Sequence, residues 1–384
     1  MSARRLAAIT ALVASLAAAG SATAQWTRAD RSGEVRLASV GVAAGQAVPA
    51  NPLADAFRHW IVGHKPATAI MAVRQSGRTV FVGSHGTEAR QPTLIGSLSK
   101  AITGACIATL VRDGRLAFDT PMREALAGFF ARHGRPRDTR FETVTVEQLL
   151  VHRSGMLGND DGDPLYAIRQ ARAERGLGHG AAPQVQLAEH LNHRLARDPG
   201  GDFAYSNSGY IALSALIEER SGRSYEDYCR EAVLAPLGIA SARLHPDWRM
   251  FAGSGGWIVE GTDYLALLDI FDPAHPFLGE RVKAWIAASR TKWEPANRGA
   301  WYSLGVHTEL AANGWRVTHE GGLNAHGRDA SGRPASAVIA SFGTRDADGS
   351  SLFVAMTPAQ DDGAALQALA QAFGRARSAT SKIN

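Results

Sequence analysis

From Leu98 to Val111 the chain carries a single charge, Lys100, and shows no polar face at helical spacing. A helix that is apolar all round has to be covered all round, so this segment predicts a buried central helix. The rest of the chain supplies the cover. Asn51 and Pro52 suit a helix start, and Leu53, Phe57, Trp60 and Ile61 then share one face. Residues 67–73 and 78–82 read as strands joined at Gln75-Ser76-Gly77, a hairpin. Residues 115–290 read as mostly helical, with helices over 144–151, 187–197, 209–220 (capped near Ser208) and 225–234. Strand character returns at 301–310, 315–319, 335–342 and 352–356, and an amphipathic helix over 364–375 closes the chain. Strands at both ends and helices between them predict an α+β fold. Its body comes from about 51–119 and 291–384, an antiparallel sheet flanked by helices. A mostly helical region over about 120–290 is inserted into it.

Composition narrows the function classes. Lys and Arg number 41 against 36 Asp and Glu, a formal charge of +5 over 384 residues. A dedicated nucleic-acid binder gathers such charge into a dense stripe. The longest basic cluster here is the sparse stretch from Arg132 to Arg137. At 45% hydrophobic, the chain is not disordered either. Two cysteines exclude a disulfide scaffold and a Cys-only zinc site. Cys106 sits on the apolar helix and Cys229 far along the chain, and both are expected to be free thiols.

The N-terminus reads as a secretory signal peptide, residues 1–24. Arg4-Arg5 precede an alanine-rich apolar run over residues 6–19, and Ala22-Thr23-Ala24 stands before Gln25. The run is short for a membrane span, although a retained anchor is the other reading. The expected product is a bacterial exported protein, periplasmic or secreted, without stable membrane insertion. Export would permit a disulfide. The arginine pair is only a weak pointer to twin-arginine export.

The sharpest chemical feature opens the apolar helix: Ile95-Gly96-Ser97-Leu98-Ser99-Lys100. Residues three apart on a helix share a face, so Ser97 and Lys100 lie one turn apart. A serine hydroxyl is a poor nucleophile until a neighbour takes its proton. A lysine can do so when burial lowers its pKa. Taken alone, Ser-x-x-Lys also arises as a chance pair on a solvated turn. Two further segments add to it. Tyr205-Ser206-Asn207 places a phenol and an amide just before a helix, and His319-Glu320-Gly321-Gly322 ends a predicted strand. Glycines there would let a substrate lie along the strand edge.

These segments, in this order, resemble the serine β-lactamase and penicillin-recognising superfamily, and within it the class C-like group. That group holds class C β-lactamases, D-alanyl-D-alanine carboxypeptidases, D-aminopeptidases and β-lactamase-like esterases. Further text carries the resemblance over roughly residues 55–375. Gly114 to Asp119 looks like the turn after the nucleophile helix. The run Leu149-Leu150-Val151-His152-Arg153-Ser154-Gly155-Met156 resembles the group's "LLTHTSGL" stretch. Val233 to Ile239 and Ser254-Gly255-Gly256-Trp257 are also similar. The resemblance implies that Ser97 is acylated and that Lys100 is its proton acceptor or electrostatic partner. Tyr205 would protonate the leaving group, and Asn207 would hold Lys100 and a substrate carbonyl. The N–H groups of Ser97 and Gly322 would form the oxyanion hole. No metal or other cofactor is implied.

The third motif departs from the group's β-lactamases, which usually carry Lys-Thr-Gly. His319 replaces a fixed cation with a group mostly neutral near pH 7. Glu320 would repel a substrate carboxylate if it faced the cleft. Successive strand side chains alternate faces, and in the other register Glu320 points away. Both changes argue against efficient β-lactam or D-Ala-D-Ala recognition and favour a neutral ester, or a substrate with an amine. Glu320 and Gly321 are accordingly expected at the substrate, with His319 among the catalytic groups.

Other polar clusters invite weaker readings. Asn159-Asp160-Asp161-Gly162-Asp163 could place acids at the cleft mouth, but it lacks calcium-loop spacing and the distal Glu and reads first as a solvated loop. His190 and His193 have no third spaced ligand and read as a surface helix face. His326 and Arg328 are candidate pocket residues. No Gly-x-Ser-x-Gly elbow or phosphate loop is present. The reading is an exported serine hydrolase acting on a small ester or amide, esterase-type first. A D-aminopeptidase or D-alanyl-D-alanine carboxypeptidase is the enzymatic alternative, and a non-catalytic periplasmic binding protein of the same fold the other. The expected partner is a small molecule or short peptide, not nucleic acid.

Overall fold

Among the described residues, eight strands form one antiparallel sheet in the order Arg36–Leu37, Arg78–His85, Thr68–Gln75, Ser351–Thr357, Pro334–Arg345, Gly314–Arg328, Val306–Ala311, Ala300–Ser303. The computed structural model describes residues 36–37, 52–177, 182–293, 299–312, 314–328 and 334–357. The expected leader, the Asn51 cap and the expected closing helix lie outside these residues. From the N-terminal part come β1 (Arg36–Leu37), β2 (Thr68–Gln75) and β3 (Arg78–His85). From the C-terminal part come β7 (Ala300–Ser303), β8 (Val306–Ala311), β9 (Gly314–Arg328), β10 (Pro334–Arg345) and β11 (Ser351–Thr357). The seam is β2 against β11, from Thr68 opposite Thr357 to Arg74 opposite Ser351. A second sheet of three short strands, β4 (Thr93–Leu94), β5 (Arg243–Leu244) and β6 (Trp257–Val259), lies beside the nucleophile segment.

The central strands are apolar on both faces because both faces are covered. Met71, Val73, Leu352 and Val354 pack with Leu53, Phe57, Trp60 and Ile61 of helix α1 (Pro52–His64). The alternate residues Ala72, Phe353 and Ala355 enter the main core on the other side. That core surrounds α2 (Ser99–Arg112), every residue of which from Ser99 to Val111 is buried, as the missing polar face requires. Its few polar groups are satisfied. The Thr103 hydroxyl donates to the Gly253 carbonyl (2.8 Å) and shares a hydrogen bond with the Tyr225 hydroxyl (2.7 Å).

The helical region follows as α3 (Met122–Ala125), α4 (Ala127–His133), α5 (Val146–Leu150), α6 (Leu165–Glu174), α7 (Pro183–His190), α8 (Asn207–Ser221), α9 (Tyr225–Cys229), α10 (Gly261–Leu268) and α11 (Gly279–Trp293). Helix α7 starts and stops earlier than the expected 187–197. The chain turns away after His190 because Leu195 N–H donates to Asp138 and Ala196 N–H to the Gly155 carbonyl. Helix α8 is capped by Ser206 rather than Ser208.

Two further expectations are corrected. Residues 301–310 are two strands, not one, because Leu304 and Gly305 take positive φ angles of 43° and 83° and turn the chain back. That turn presses on α2. A Cβ on Gly104 would lie 2.1 Å from the Leu304 carbonyl oxygen, and one on Gly305 2.1 Å from the Lys100 carbonyl oxygen. Cys106 and Cys229, expected as free thiols, form a disulfide. The fold brings α2 and α9 side by side, with the two Cα atoms 5.5 Å apart, inside the usual bonding range.

Candidate active site

The site forms where α2 begins. Gly96 takes φ +51°, and a single 3-10 turn, Gly96–Leu98, leads into the helix. Ser97 thus occupies a helix start, where backbone N–H groups lack intrahelical acceptors. Lys100, one turn on, has no exposed surface. Its ammonium donates to Ser97 Oγ (3.1 Å), Asn207 Oδ1 (2.8 Å) and the Ser254 carbonyl (2.8 Å). The Tyr205 ring stacks below it, 4.7 Å from Nζ to the centroid. Burial pulls the Lys100 pKa from 10.5 to about 7, with the nearby Asp163 carboxylate opposing the fall. Near neutral pH a large fraction of the amine is therefore free to take the serine proton.

The buried hydroxyl of Tyr205 lies beside Ser97. Burial raises its pKa well above the ordinary phenol value, so it stays protonated. Its position follows from a cradle made by residues 152–163. Ala204 N–H donates to the His152 carbonyl (2.9 Å), and Asn159 N–H to the Tyr205 carbonyl (2.9 Å). Ser206 N–H donates to His152 Nδ1 (3.1 Å), and Ser206 Oγ to the Leu157 carbonyl (2.7 Å). Asn207 N–H donates to Asp163 Oδ2 (2.9 Å). His152 holds φ +58° and packs its ring 4.3 Å from that of Tyr205, centroid to centroid. Since Nδ1 accepts, the proton of this neutral imidazole sits on Nε2. Burial first, then the charges of Lys100, His319 and His307, keep its pKa well below the usual value.

Strand β9 forms the opposite wall. Its pairing with β8 stops at Thr318, while its pairing with β10 runs on to Arg328. His319 is buried, and its ring lies 6.1 Å from that of Tyr205. Its Nδ1–H donates to the Glu320 carbonyl (2.5 Å), which leaves Nε2 to accept from the Tyr302 hydroxyl (2.8 Å). Burial and the Lys100 charge hold its pKa well below 6.5, so this imidazole is neutral. Gly321 has no room for a side chain: a Cβ there would meet Ser341 Oγ at 2.3 Å and the Ile95 carbonyl at 2.5 Å. Gly322 has open space, and its N atom lies against Gly96, 3.1 Å from where a Cβ of Gly96 would sit. Gly322 thus lies beside the turn that opens with Gly96 and carries Ser97.

Glu320 follows the alternation instead of facing Ser97. It is exposed and sits opposite Phe342, which packs toward the α1 side of the sheet, whereas His319 and Gly321 face α2. The expected substrate contact is corrected accordingly. The loop 159–163 is exposed at Asn159, Asp160 and Gly162, as expected, but two of its acids are bonded: Asp161 pairs with Arg197, and Asp163 Oδ1 accepts from Leu165 N–H. His190 is a buried residue bonded to Ser208 (2.6 Å), not a surface one. The side chains of His326 and Arg328 lie outside the described residues. Sequence reasoning offered Asp163 only as one of several acids that could stand at the cleft mouth, and missed Tyr302. It quoted His152 and Ser254 inside their motifs without giving them a task.

A buried lysine beside a serine, with a phenol and an amide at hand, is an arrangement able to run acyl transfer through an acyl-serine. The profile of the beta-lactamase family matches residues 53–365, and the chain belongs to that family. Penicillin-binding protein 4 of Amycolatopsis lactamdurans is 25% identical over 152 residues, 40% of this chain and 36% of that protein. The chain thus spans about a third of the length of the curated relatives it matches. Among solved structures, a D-stereospecific amidohydrolase from Streptomyces superposes with TM-score 0.62 at 20% identity, covering 80% of this chain and 94% of that one. EstCE1, described as a hydrolase with promiscuous acyltransferase activity, gives 0.62 at 14% identity, covering 84% and 97%.

Proposed function

We propose that this protein is an exported hydrolase of small neutral esters, with amides as second substrates, acting through an acyl group on Ser97. The observation that carries the reading is the buried Lys100 amine, 3.1 Å from Ser97 Oγ and with a pKa near 7. Neutral Lys100 takes the Ser97 proton as Oγ attacks the substrate carbonyl. The N–H groups of Ser97 and Gly322 hold the oxyanion. As the tetrahedral adduct collapses, Tyr205 O–H protonates the departing oxygen or nitrogen, and the proton on Lys100 restores the phenol. Water then attacks the acyl-serine by the reverse relay, releasing acid and free Ser97. The preference for neutral substrates rests on His319, a neutral imidazole at the place where a fixed cation would attract a carboxylate. The amidohydrolase and EstCE1 folds are consistent with either leaving group. Export is favoured by the signal-like N-terminus and by the Cys106–Cys229 disulfide, since such bonds persist in oxidising compartments.

The test is fluorophosphonate labelling, followed by rates on a p-nitrophenyl acyl ester, a D-alanyl amide and nitrocefin. The ester is expected to turn over fastest, and Ser97→Ala to lose both labelling and turnover. A D-alanyl amide in first place would move the protein to the D-aminopeptidase reading. Nitrocefin in first place would overturn the argument from His319. An unlabelled folded wild type would leave a binding protein of this fold.

A further inference from the structure

Asp163 lies in a segment whose composition reads as solvent-facing, yet its carboxylate is committed inward. Oδ1 accepts the Leu165 N–H (3.0 Å) and Oδ2 the Asn207 N–H (2.9 Å). Asn207 is the first residue of α8, so that N–H has no acceptor within its own helix. A carboxylate there also interacts favourably with the helix dipole. The same residue presents Oδ1 to the Lys100 ammonium at 2.8 Å. One acid, 44 residues away in sequence, therefore fixes the backbone whose side chain holds the general base.

We propose that Asp163 is a positioning residue for Lys100, holding the first turn of α8 so that Asn207 meets the amine and setting a negative charge behind it. This rests on the reading of Lys100 as the base for Ser97. The groups around Lys100 come from every side. Ser97 is on its own turn, and Asn207 and the Tyr210 ring come from α8. Tyr205 lies in the preceding loop, the Ser254 carbonyl is opposite, and neutral His152 and His319 lie beyond Tyr205. Among the described residues Asp163 is the acid whose charge acts on the amine. The neighbouring Asp161 is turned to Arg197. An opposite charge favours the protonated amine, so removing it makes Lys100 lose its proton at lower pH.

The experiment reads the rate of fluorophosphonate labelling of Ser97 against pH in wild type, Asp163→Asn and Asp163→Glu, with folding checked by circular dichroism. Wild type is expected to show an acid limb centred near pH 7. In Asp163→Asn, which keeps an acceptor of similar shape, the limb is expected to move down by on the order of one pH unit. Its plateau is expected to fall several-fold as Asn207 loosens. Asp163→Glu restores the charge and is expected to return the limb toward wild type with a reduced plateau. A limb that stays put in Asp163→Asn overturns the proposal and leaves Asp163 a loop cap. Should Asp163→Asn not fold, Asp163→Ser is read the same way. A wild type that does not label at all defeats the hydrolase reading instead, so the two failures are distinct.

Discussion

Replacing Lys100 with Met is expected to abolish acylation and, at the same time, to remove a strain on the fold that depends on pH. The unfolded chain keeps this amine protonated up to its ordinary pKa of 10.5, whereas the folded chain releases the proton near 7. The folded value is the depressed one, so between pH 7 and 10.5 the unfolded state binds more protons. Stability from this group must therefore rise with pH across that window. Below pH 7 both states are protonated and the cost is constant, about 5 kcal/mol at 1.36 kcal/mol per pH unit. Across the window the wild type should recover on the order of 4 kcal/mol relative to Lys100→Met. At pH 7 the variant gains less than that, because Asn207 Oδ1 and the Ser254 carbonyl lose their donor, at about 1–3 kcal/mol each. The pH dependence is thus the sharper quantity. Urea unfolding of both proteins, followed by circular dichroism at pH 7, 8, 9 and 10, measures it. Stability differences that agree within about 1 kcal/mol across the series would show that Lys100 is not desolvated as described. Retained labelling of Lys100→Met would reassign the base, with Tyr205 first in line.

Two other expectations follow from the site and its frame. His319→Lys supplies a fixed cation facing Tyr205, and the ratio of nitrocefin to neutral-ester turnover is expected to rise about tenfold or more by charge attraction; an unchanged ratio would remove His319 from specificity. Replacing both Cys106 and Cys229 with Ala is expected to lower stability by about 2–5 kcal/mol, and thiol titration of the unfolded, unreduced protein should find no free thiol, whereas two would contradict the pairing.

What the sequence makes legible is what local geometry encodes. Ser97 and Lys100 share one helical turn, and Tyr205 and Asn207 bracket a helix cap, so their roles can be read from spacing and family resemblance. The burial of α2 can be read from the charges it lacks. Cys106 and Cys229 are 123 residues apart, and only the packing of α2 against α9 joins them. Tyr302 reaches His319 across a hairpin whose turn was hidden in an apolar run. Asp163 resembled any solvated acid because its partners, two backbone N–H groups, leave no mark in composition. Glu320 hinged on strand phase, and neighbouring glycines gave no side-chain pattern to settle it.

The tight seat of the Leu304–Gly305 turn on the backbone of α2 also bears on when this chain becomes reactive. Synthesis delivers Ser97 early, but its lysine is held by Asn207, 107 residues later, and by Ser254, 154 residues later. The carbonyl just before the nucleophile turn waits for Ser341, 246 residues on. Contacts of such long range form late and slowly. A growing chain therefore carries a serine whose lysine is not yet seated until the later strands dock, and the order of synthesis itself delays the closing of the site.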